Sequence, residues 1–399
     1  MKPKFYRKIL KNGMTLVFEK REVPVVSVAI AVRCGGINED LNEKGISHYI
    51  EHMLYKGTPT RNAKKIAEEI ERNGGVLNGF TDENITAYWC KMPSKHLKIA
   101  LEVLSDMVKN PLFEQKELDK ERKVIFEEIK MRRDNPRIYV LDSIKSFLYE
   151  EPFSSNLIGT EKTMNSITRE KILQRFKEVY TPGNMVLCVV GNADFKEIER
   201  FAEKTFKKTN GGVKNFEIKT RNHSEVESRK GLDQANFVFA YHAPLTNEMD
   251  NSAAEVLNAI LAHGMSSRLF HEIREKRNLA YSVSGDSQMT KDFAYSLIYV
   301  GTSKENIEKV KELILKEFEK VSKELDEKEL SEVKEQLIGN HHISMEDSTN
   351  QMVSLLGYEM NGNAKEFYEY EKRIKGVKIS DVKRLSRLGS YSFFALVPE

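Results

Sequence analysis

Apolar residues along the chain fall into two kinds of run. Short blocks rich in β-branched and aromatic residues, VVSVAIAV at 25–32, ITAYWCKM at 85–92 and MVLCVVG at 185–191, have strand length and predict strands. MTLVFEK near the start reads as an earlier one. Between them, apolar residues recur every three or four positions, which predicts helices near 46–54, 62–72, 95–109 and 115–133. The second half repeats the alternation. NFVFAYH, AYSLIYVG and YSFFALV predict strands, and helices are expected near 251–262, 266–276, 304–324 and 326–356. This recurrence predicts a duplication. A polar stretch over 207–230, with Gly211 and Gly212, predicts the join near 215, hence domains at 1–215 and 216–399.

The helix expected at 46–54 carries the chemistry. In GISHYIEHML, His48, Glu51 and His52 stand at the spacing HxxEH, which places all three on one side of a helix with 3.6 residues per turn. Ser47 follows Gly45 in the first turn, and Ile46, Ile50, Met53 and Leu54 form the opposite, apolar face. Two imidazoles converging beside a carboxylate suit zinc, and a catalytic zinc needs a third protein ligand and an open position. Candidates lie in ELDKERKVIFEEIKMRR at 117–133. Glu121 and Glu128 are two turns apart and share a face, whereas Glu127 points about 100° away from Glu128. Periodicity alone does not choose between them. His96, His223, His242, His263, His271, His341 and His342 lack a partner at ligand spacing and read as structural or surface residues.

Length and charge narrow the picture. A chain of 399 residues with 40% hydrophobic content suits two domains of about 200 residues, each with its own core. The 63 basic and 60 acidic residues leave a net charge of only +3, so no global field favours nucleic acid or anionic membranes. No segment approaches the ~20 apolar residues of a membrane span, and the first residues lack the apolar core of a signal peptide, so a cytoplasmic protein is expected. Cys34, Cys90 and Cys188 sit in or beside apolar runs and read as buried thiols. The glycine pairs lack the GxxxxGK[ST] pattern of a phosphate-binding loop.

The combination of HYIEH, ERKVIFEE at 121–128 and NGGVLNGFTDENITAYWCKM at 73–92 resembles the pitrilysin-type inverted-motif zinc metallopeptidases, which include the mitochondrial processing peptidases and insulin-degrading enzyme. The resemblance covers the whole chain. It implies an α+β fold of two duplicated mixed domains, each a mainly antiparallel sheet covered by helices. It also implies one zinc per chain, held by His48, His52 and Glu128, with Glu51 as general base and Glu121 orienting a ligand; the helix near 251–262 carries no HxxEH. Asn78, Gly79 and Phe80 would lie on an edge strand that pairs with an extended substrate. The family usually has Ala where this chain has Gly79, a departure that loosens the strand. The run GMSSRLFHEIREKRNLAYSVSG at 264–285 is similar to a family segment whose Arg and Tyr, seven positions apart, reach the substrate; Arg274 and Tyr281 match, and Arg268 fits less well. The implied activity is endopeptidase cleavage of unfolded peptides inside a closed chamber. Larger members build that chamber from four domains, so a homodimer is expected here, with a related second subunit as the alternative. A processing protease that removes N-terminal extensions, or a non-catalytic assembly subunit, are the competing implications.

Overall fold

The computed structural model describes residues 4–399, which form two compact units, each with its own sheet and hydrophobic core. The first unit's sheet contains β1 (Lys4–Ile9), β2 (Thr15–Lys20), β3 (Val25–Val32), β4 (Val76–Thr81), β5 (Thr86–Pro93) and β6 (Met185–Gly191), in the order β1-β2-β6-β3-β5-β4. The second contains β7 (Ser224–Arg229), β8 (Ala235–His242), β9 (Ala280–Met289), β10 (Ala294–Thr302) and β11 (Ser392–Pro398), in the order β7-β11-β8-β10-β9. One neighbouring pair in each sheet is parallel, β2 with β6 and β7 with β11; the others are antiparallel. The fold is therefore the expected α+β type with mainly antiparallel sheets.

The helices of the first unit that matter to the site are α1 (Ile46–Leu54), α2 (Ala63–Glu71), α3 (Leu97–Lys109) and α4 (Gln115–Asp134). They pack on one face of the sheet, where Val26, Val28, Ile30 and Val32 of β3 enter the core with Tyr49, Ile50 and Met53 of α1 and Leu101 and Leu104 of α3. Each such side chain, fully buried, contributes roughly 1.5–3 kcal/mol. The opposite face of β3 is also buried, which explains why its sequence does not alternate. Its residues there are small, Ser27, Ala29 and Ala31, and the helix Ser348–Met360 lies against them, with Ser27 Oγ 2.9 Å from Ser348 Oγ. Glu359 of that helix, itself buried, accepts two hydrogen bonds from Arg7 and one from Arg33, all at 2.8 Å.

That helix corrects the contiguous division at 215. The first unit runs to Ile129 and adds Ser155–Glu217 and Ser344–Phe367, while the second takes Lys130–Ser154, Ile218–Ile343 and Tyr368–Glu399. The central boundary, between Glu217 and Ile218, lies close to the expected join, but two segments are exchanged. The reason is the second face of each sheet. Helix 348–360 covers it in the first unit, and in the second the helix Pro136–Ser143 and Phe147 pack on β8 and β11, with Phe147 and Phe394 stacked at 4.8 Å. The single helix expected over 326–356 is also two, Glu327–Ser344 and Ser348–Met360. Asp347 caps the second by accepting from the amides of Thr349 and Asn350, so the chain stops and restarts within what reads as one periodic run.

Candidate metal centre

α1 begins at Gly45, whose φ of 91° puts it in the left-handed region, and no side chain caps the helix from that position. Glu39 does so from six residues upstream: its buried carboxylate accepts from the amides of Gly45 at 2.9 Å and Ser47 at 2.7 Å. Burial pushes the Glu39 pKa up, opposed by the nearby Lys44 charge and the Ser47 and Gly45 amides. At the other side of the helix, the Tyr49 hydroxyl donates to the Leu118 carbonyl, and Arg122 stacks 5.8 Å from the Tyr49 ring. These contacts fix the rotation of α4 against α1. They decide which acid of α4 meets the histidines.

His48 is 8% exposed and Glu51 9%, and the two imidazoles lie 4.6 Å apart between centroids at 66°. Glu128 Oε2 is 3.5 Å from His48 Nε2 and 3.8 Å from His52 Nε2, and one donor atom from each of the three residues lies within 4.8 Å of the others. Ligands at the ~2.1 Å typical of zinc–nitrogen and zinc–oxygen bonds stand about 3.4 Å apart in a tetrahedron, so this donor set fits one zinc ion. Two imidazoles and a carboxylate also match a catalytic rather than a closed structural site. Glu121 approaches the other nitrogen: its Oε2 is 3.2 Å from His52 Nδ1, and its Oε1 is 2.6 Å from Lys56 Nζ. A carboxylate on the far nitrogen of a ligating imidazole selects the tautomer whose Nε2 is free to bind metal. Glu127 is exposed and meets neither histidine in this arrangement.

Glu51 faces β4. Thr81 Oγ1 donates to Glu51 Oε2 at 2.8 Å. Burial raises the Glu51 pKa above the usual carboxylate range, opposed by the Thr81 hydrogen bond and the His52 charge and reinforced by Glu128. β4 is the edge of its sheet, with Asn78 exposed and Gly79 and Phe80 half-buried. The Gly79 amide is satisfied locally, by Asn78 Oδ1 at 2.8 Å. In the strand behind, Tyr88 is fully buried and Trp89 half-buried.

Arg274 and Tyr281 belong to the second unit. Where a helix is expected over 266–276, a π-helical turn spans Phe270–Glu275, and Asn278 at φ 52° reverses the chain into β9. The reversal brings Arg274 between the rings of Phe270, at 4.9 Å, and Tyr281, at 5.1 Å. Tyr281 is 81% exposed, so it is not a core residue. Arg268 is occupied elsewhere, in a two-bonded ion pair with Glu329. Of the other histidines, His341 stacks on Tyr370 and His342 stands 3.7 Å from Glu371. Sequence spacing did not single out Glu39, Lys56 or Thr81. Lys56 follows His52 by one helical turn and Thr81 shares a strand face with Gly79, and both relations are visible once α1 and β4 are placed.

A helix-borne HxxEH, an acid on a second helix and a duplicated sheet-and-helix scaffold together define the inverted-motif class of zinc peptidase sites. The chain matches the family model for insulinase (peptidase family M16) over residues 15–161 and the model for the peptidase M16 inactive domain over 166–337. It is 34% identical over 344 residues to an uncharacterized zinc protease of Rickettsia felis, covering 85% of this chain and 84% of that protein. It is 32% identical over 386 residues to the uncharacterized zinc protease YmxG of Bacillus subtilis, covering 94% and 93%. The chain belongs to peptidase family M16. The same fold occurs in a protease from Helicobacter pylori, with a TM-score of 0.91 at 24% identity over 99% of this chain and 100% of that one. It occurs again in a peptidase M16 inactive domain from Pseudomonas fluorescens, with a TM-score of 0.90 at 20% identity over 99% and 98%.

Proposed function

We propose that this chain is a zinc-dependent endopeptidase that hydrolyses unfolded peptides, with His48, His52 and Glu128 holding one zinc ion per chain. The observation that carries this reading is the convergence of those three donors beside Glu51 on one helix. Bound by these residues, zinc would supply a Lewis acid able to lower the pKa of a water towards ~7 and to polarise the substrate carbonyl. Glu51 takes the proton of the attacking water and returns it to the departing amine. Thr81 keeps the carboxyl turned towards the strand where a peptide would lie. Glu121, backed by Lys56, orients His52.

The substrate adds to the edge of β4, where Asn78, Gly79 and Phe80 provide main-chain partners; the Gly79 amide exchanges the Asn78 side chain for a peptide carbonyl. Pairing through the main chain favours extended, unfolded segments with little sequence preference. Arg274 holds a peptide carbonyl or carboxylate, and the Tyr281 hydroxyl donates to the developing oxyanion, from within the chain or from a second copy. Two such units per chain favour a homodimer that encloses its substrates, acting in the cytoplasm. No helix among the described residues is long and apolar enough to cross a membrane.

The test combines zinc stoichiometry with cleavage of a mixed peptide library. The wild type should carry one zinc and cleave; Glu51→Gln should keep its zinc and lose turnover by roughly 10²–10⁴-fold. Turnover surviving in Glu51→Gln removes this residue from the chemistry, and a zinc-free wild type favours a non-catalytic subunit.

A further inference from the structure

We propose that Tyr55 is a positioning residue for Glu51, donating a hydrogen bond to the carboxylate oxygen that Thr81 does not hold, and that Gly79 is the vacancy in β4 that admits it. The inference rests on the reading of Glu51 as the base of a zinc peptidase.

Glu51 and Tyr55 are one helical turn apart and share a face of α1. Gly79 and Thr81, two apart on β4, likewise share a face. Thr81 holds Glu51 Oε2. A Cβ built on Gly79 would lie 2.4 Å from the Tyr55 hydroxyl oxygen, 2.9 Å from the Ala87 carbonyl oxygen and 3.1 Å from Glu51 Oε1, so all three atoms crowd the space that a side chain at 79 would take. The Tyr55 hydroxyl is buried and has no hydrogen-bond partner among the described residues. A buried donor without an acceptor calls for a physical explanation.

The surroundings supply one. The Tyr55 ring lies 6.1 Å from that of Tyr88, but the Tyr88 hydroxyl is engaged with that of Tyr180 at 2.6 Å. Glu51 Oε1 is thus the charged acceptor that shares the Tyr55 pocket. Burial, with the Glu51 charge adding to it, raises the Tyr55 pKa above the usual phenol range, so the group remains a proton donor. A single bond from Thr81 leaves the carboxyl free to turn about that contact. A second bond, formed by a small rotation of Glu51, fixes its plane towards the water it deprotonates, and such orientation is worth one to two orders of magnitude in rate. Gly79 is then matched to this tyrosine rather than a defect of the strand.

Two measurements on the full-length protein test this. In steady-state cleavage of a peptide substrate by the zinc-loaded enzyme, Tyr55→Phe should lower kcat about 10-fold with KM and zinc content unchanged. In thermal melting of the metal-free protein, Gly79→Ala should lower Tm in the wild-type background and lower it less in Tyr55→Phe, because the hydroxyl that the methyl displaces is gone. A kcat within twofold of wild type in Tyr55→Phe overturns the positioning role. Equal melting penalties in the two backgrounds overturn the match with Gly79. A zinc-loaded wild type that cleaves nothing sinks the peptidase reading instead, and the melting comparison still decides the pairing.

Discussion

α1 in the first unit and the helix Asn251–Ala262 in the second meet their edge strands in the same way. In the first, Gly79 of β4 is crowded by Glu51 and Tyr55, and Thr81, two residues on, donates to Glu51. In the second, a Cβ on Gly285 of β9 would fall 2.9 Å from Asn258 Oδ1 and 2.7 Å from Ala262 Cβ, and Ser287, two residues on, accepts from Asn258 at 2.9 Å. The crowding residues are four apart on both helices. This registers Asn258 with Glu51, Ala262 with Tyr55, Ala259 with His52 and Glu255 with His48. The sheets agree: β2 to β6 correspond in order and direction to β7 to β11, with β1 as an addition. Glu255, in the place of a ligand, accepts instead from the Tyr370 hydroxyl at 2.6 Å. One scaffold thus carries either a cluster of metal-binding side chains beside a buried acid or a packed helix, and a few side chains on one helical face make the difference.

The largest expected effect breaks the reactive side of this pair. His52→Ala removes one of three donors, and since zinc supplies several kcal/mol of transition-state stabilisation, peptide cleavage should fall by roughly 10³-fold or more with zinc content near zero. Ala259→His in the second unit should create no second site, because its neighbour Glu255 is already bound to Tyr370 and Asn258 to Ser287. Metal analysis after dialysis checks both variants. A second equivalent of zinc in Ala259→His would mean that the second helix retains more of a site than its side chains indicate.

Next in size is the support behind His52. Lys56→Met leaves Glu121 without the ammonium 2.6 Å away and weakens its hold on His52 Nδ1. Loss of such an outer partner typically costs 10–100-fold in metal affinity. Competition with a chromogenic chelator should show that loss in Lys56→Met and a smaller one in Lys56→Arg. Unchanged affinity in Lys56→Met would restrict the orienting role to Glu121 alone.

Much of this architecture is legible in the sequence. Runs such as VVSVAIAV and MVLCVVG announce central strands because both of their faces are buried, and the HxxEH spacing sets two imidazoles and a carboxylate on one helical face. Edge strands are poorly legible: KFYRKI and SEVESR are largely exposed, and the three apolar residues of the first and one of the second mark no buried face. The shared face of Glu121 and Glu128 is readable, but which acid meets Nδ1 and which Nε2 depends on the rotation of α4, set by Tyr49 and Arg122 through contacts distant in sequence. The exchanged segments are invisible for the same reason. The small residues Ser27, Ala29 and Ala31 signal a close neighbour without saying that it arrives from 348–360. The fit of Tyr55 to Gly79 likewise appears only when helix and strand are set side by side.

A difference in charge separates the turns that follow the two helices. After α1, Asp106 of α3 accepts from the hydroxyls of Thr58 at 2.6 Å and Thr60 at 2.7 Å, from Arg61 at 2.8 Å and from Asn110 at 2.8 Å. Burial opposes its ionisation, but these hydrogen bonds prevail and hold its pKa down to about 2. After the second helix, Ser267 donates to the Gly264 carbonyl and the charge is instead a cation, Arg268, paired with Glu329. A carboxyl whose folded pKa is depressed stabilises the fold above its ordinary value of ~3.9, and that contribution fades as pH falls towards 2. Asp106→Asn should therefore cost about 2 kcal/mol at neutral pH, and its deficit against wild type should shrink between pH 4 and pH 2. Hydrogen exchange should place the loss in the first unit. A deficit that stays constant down to pH 2 would deny Asp106 this role.

The smallest expected effect probes the packed side of the comparison. Asn258 occupies the register of Glu51 and makes a neutral hydrogen bond to Ser287 Oγ, which in turn lies 2.8 Å from Ser296 Oγ. Asn258→Ala removes one partner, but Ser287 keeps Ser296, so the penalty should be about 1 kcal/mol, the usual net worth of one such bond. Denaturant melts should show that loss, with zinc content and peptide cleavage unaltered. Asn258→Asp sharpens the contrast, because it puts a carboxylate where the second unit has no imidazole and no metal ligand to compensate it. Burying that charge beside Ala259 and Ala262 should cost more than the truncation does, whereas Glu51, in the same register, has His52 and Thr81 to oppose the same penalty. Should Asn258→Asp melt at the wild-type temperature at neutral pH, the second helix tolerates a carboxylate as readily as α1 does, and the division between a reactive and a packed face would lose its physical basis.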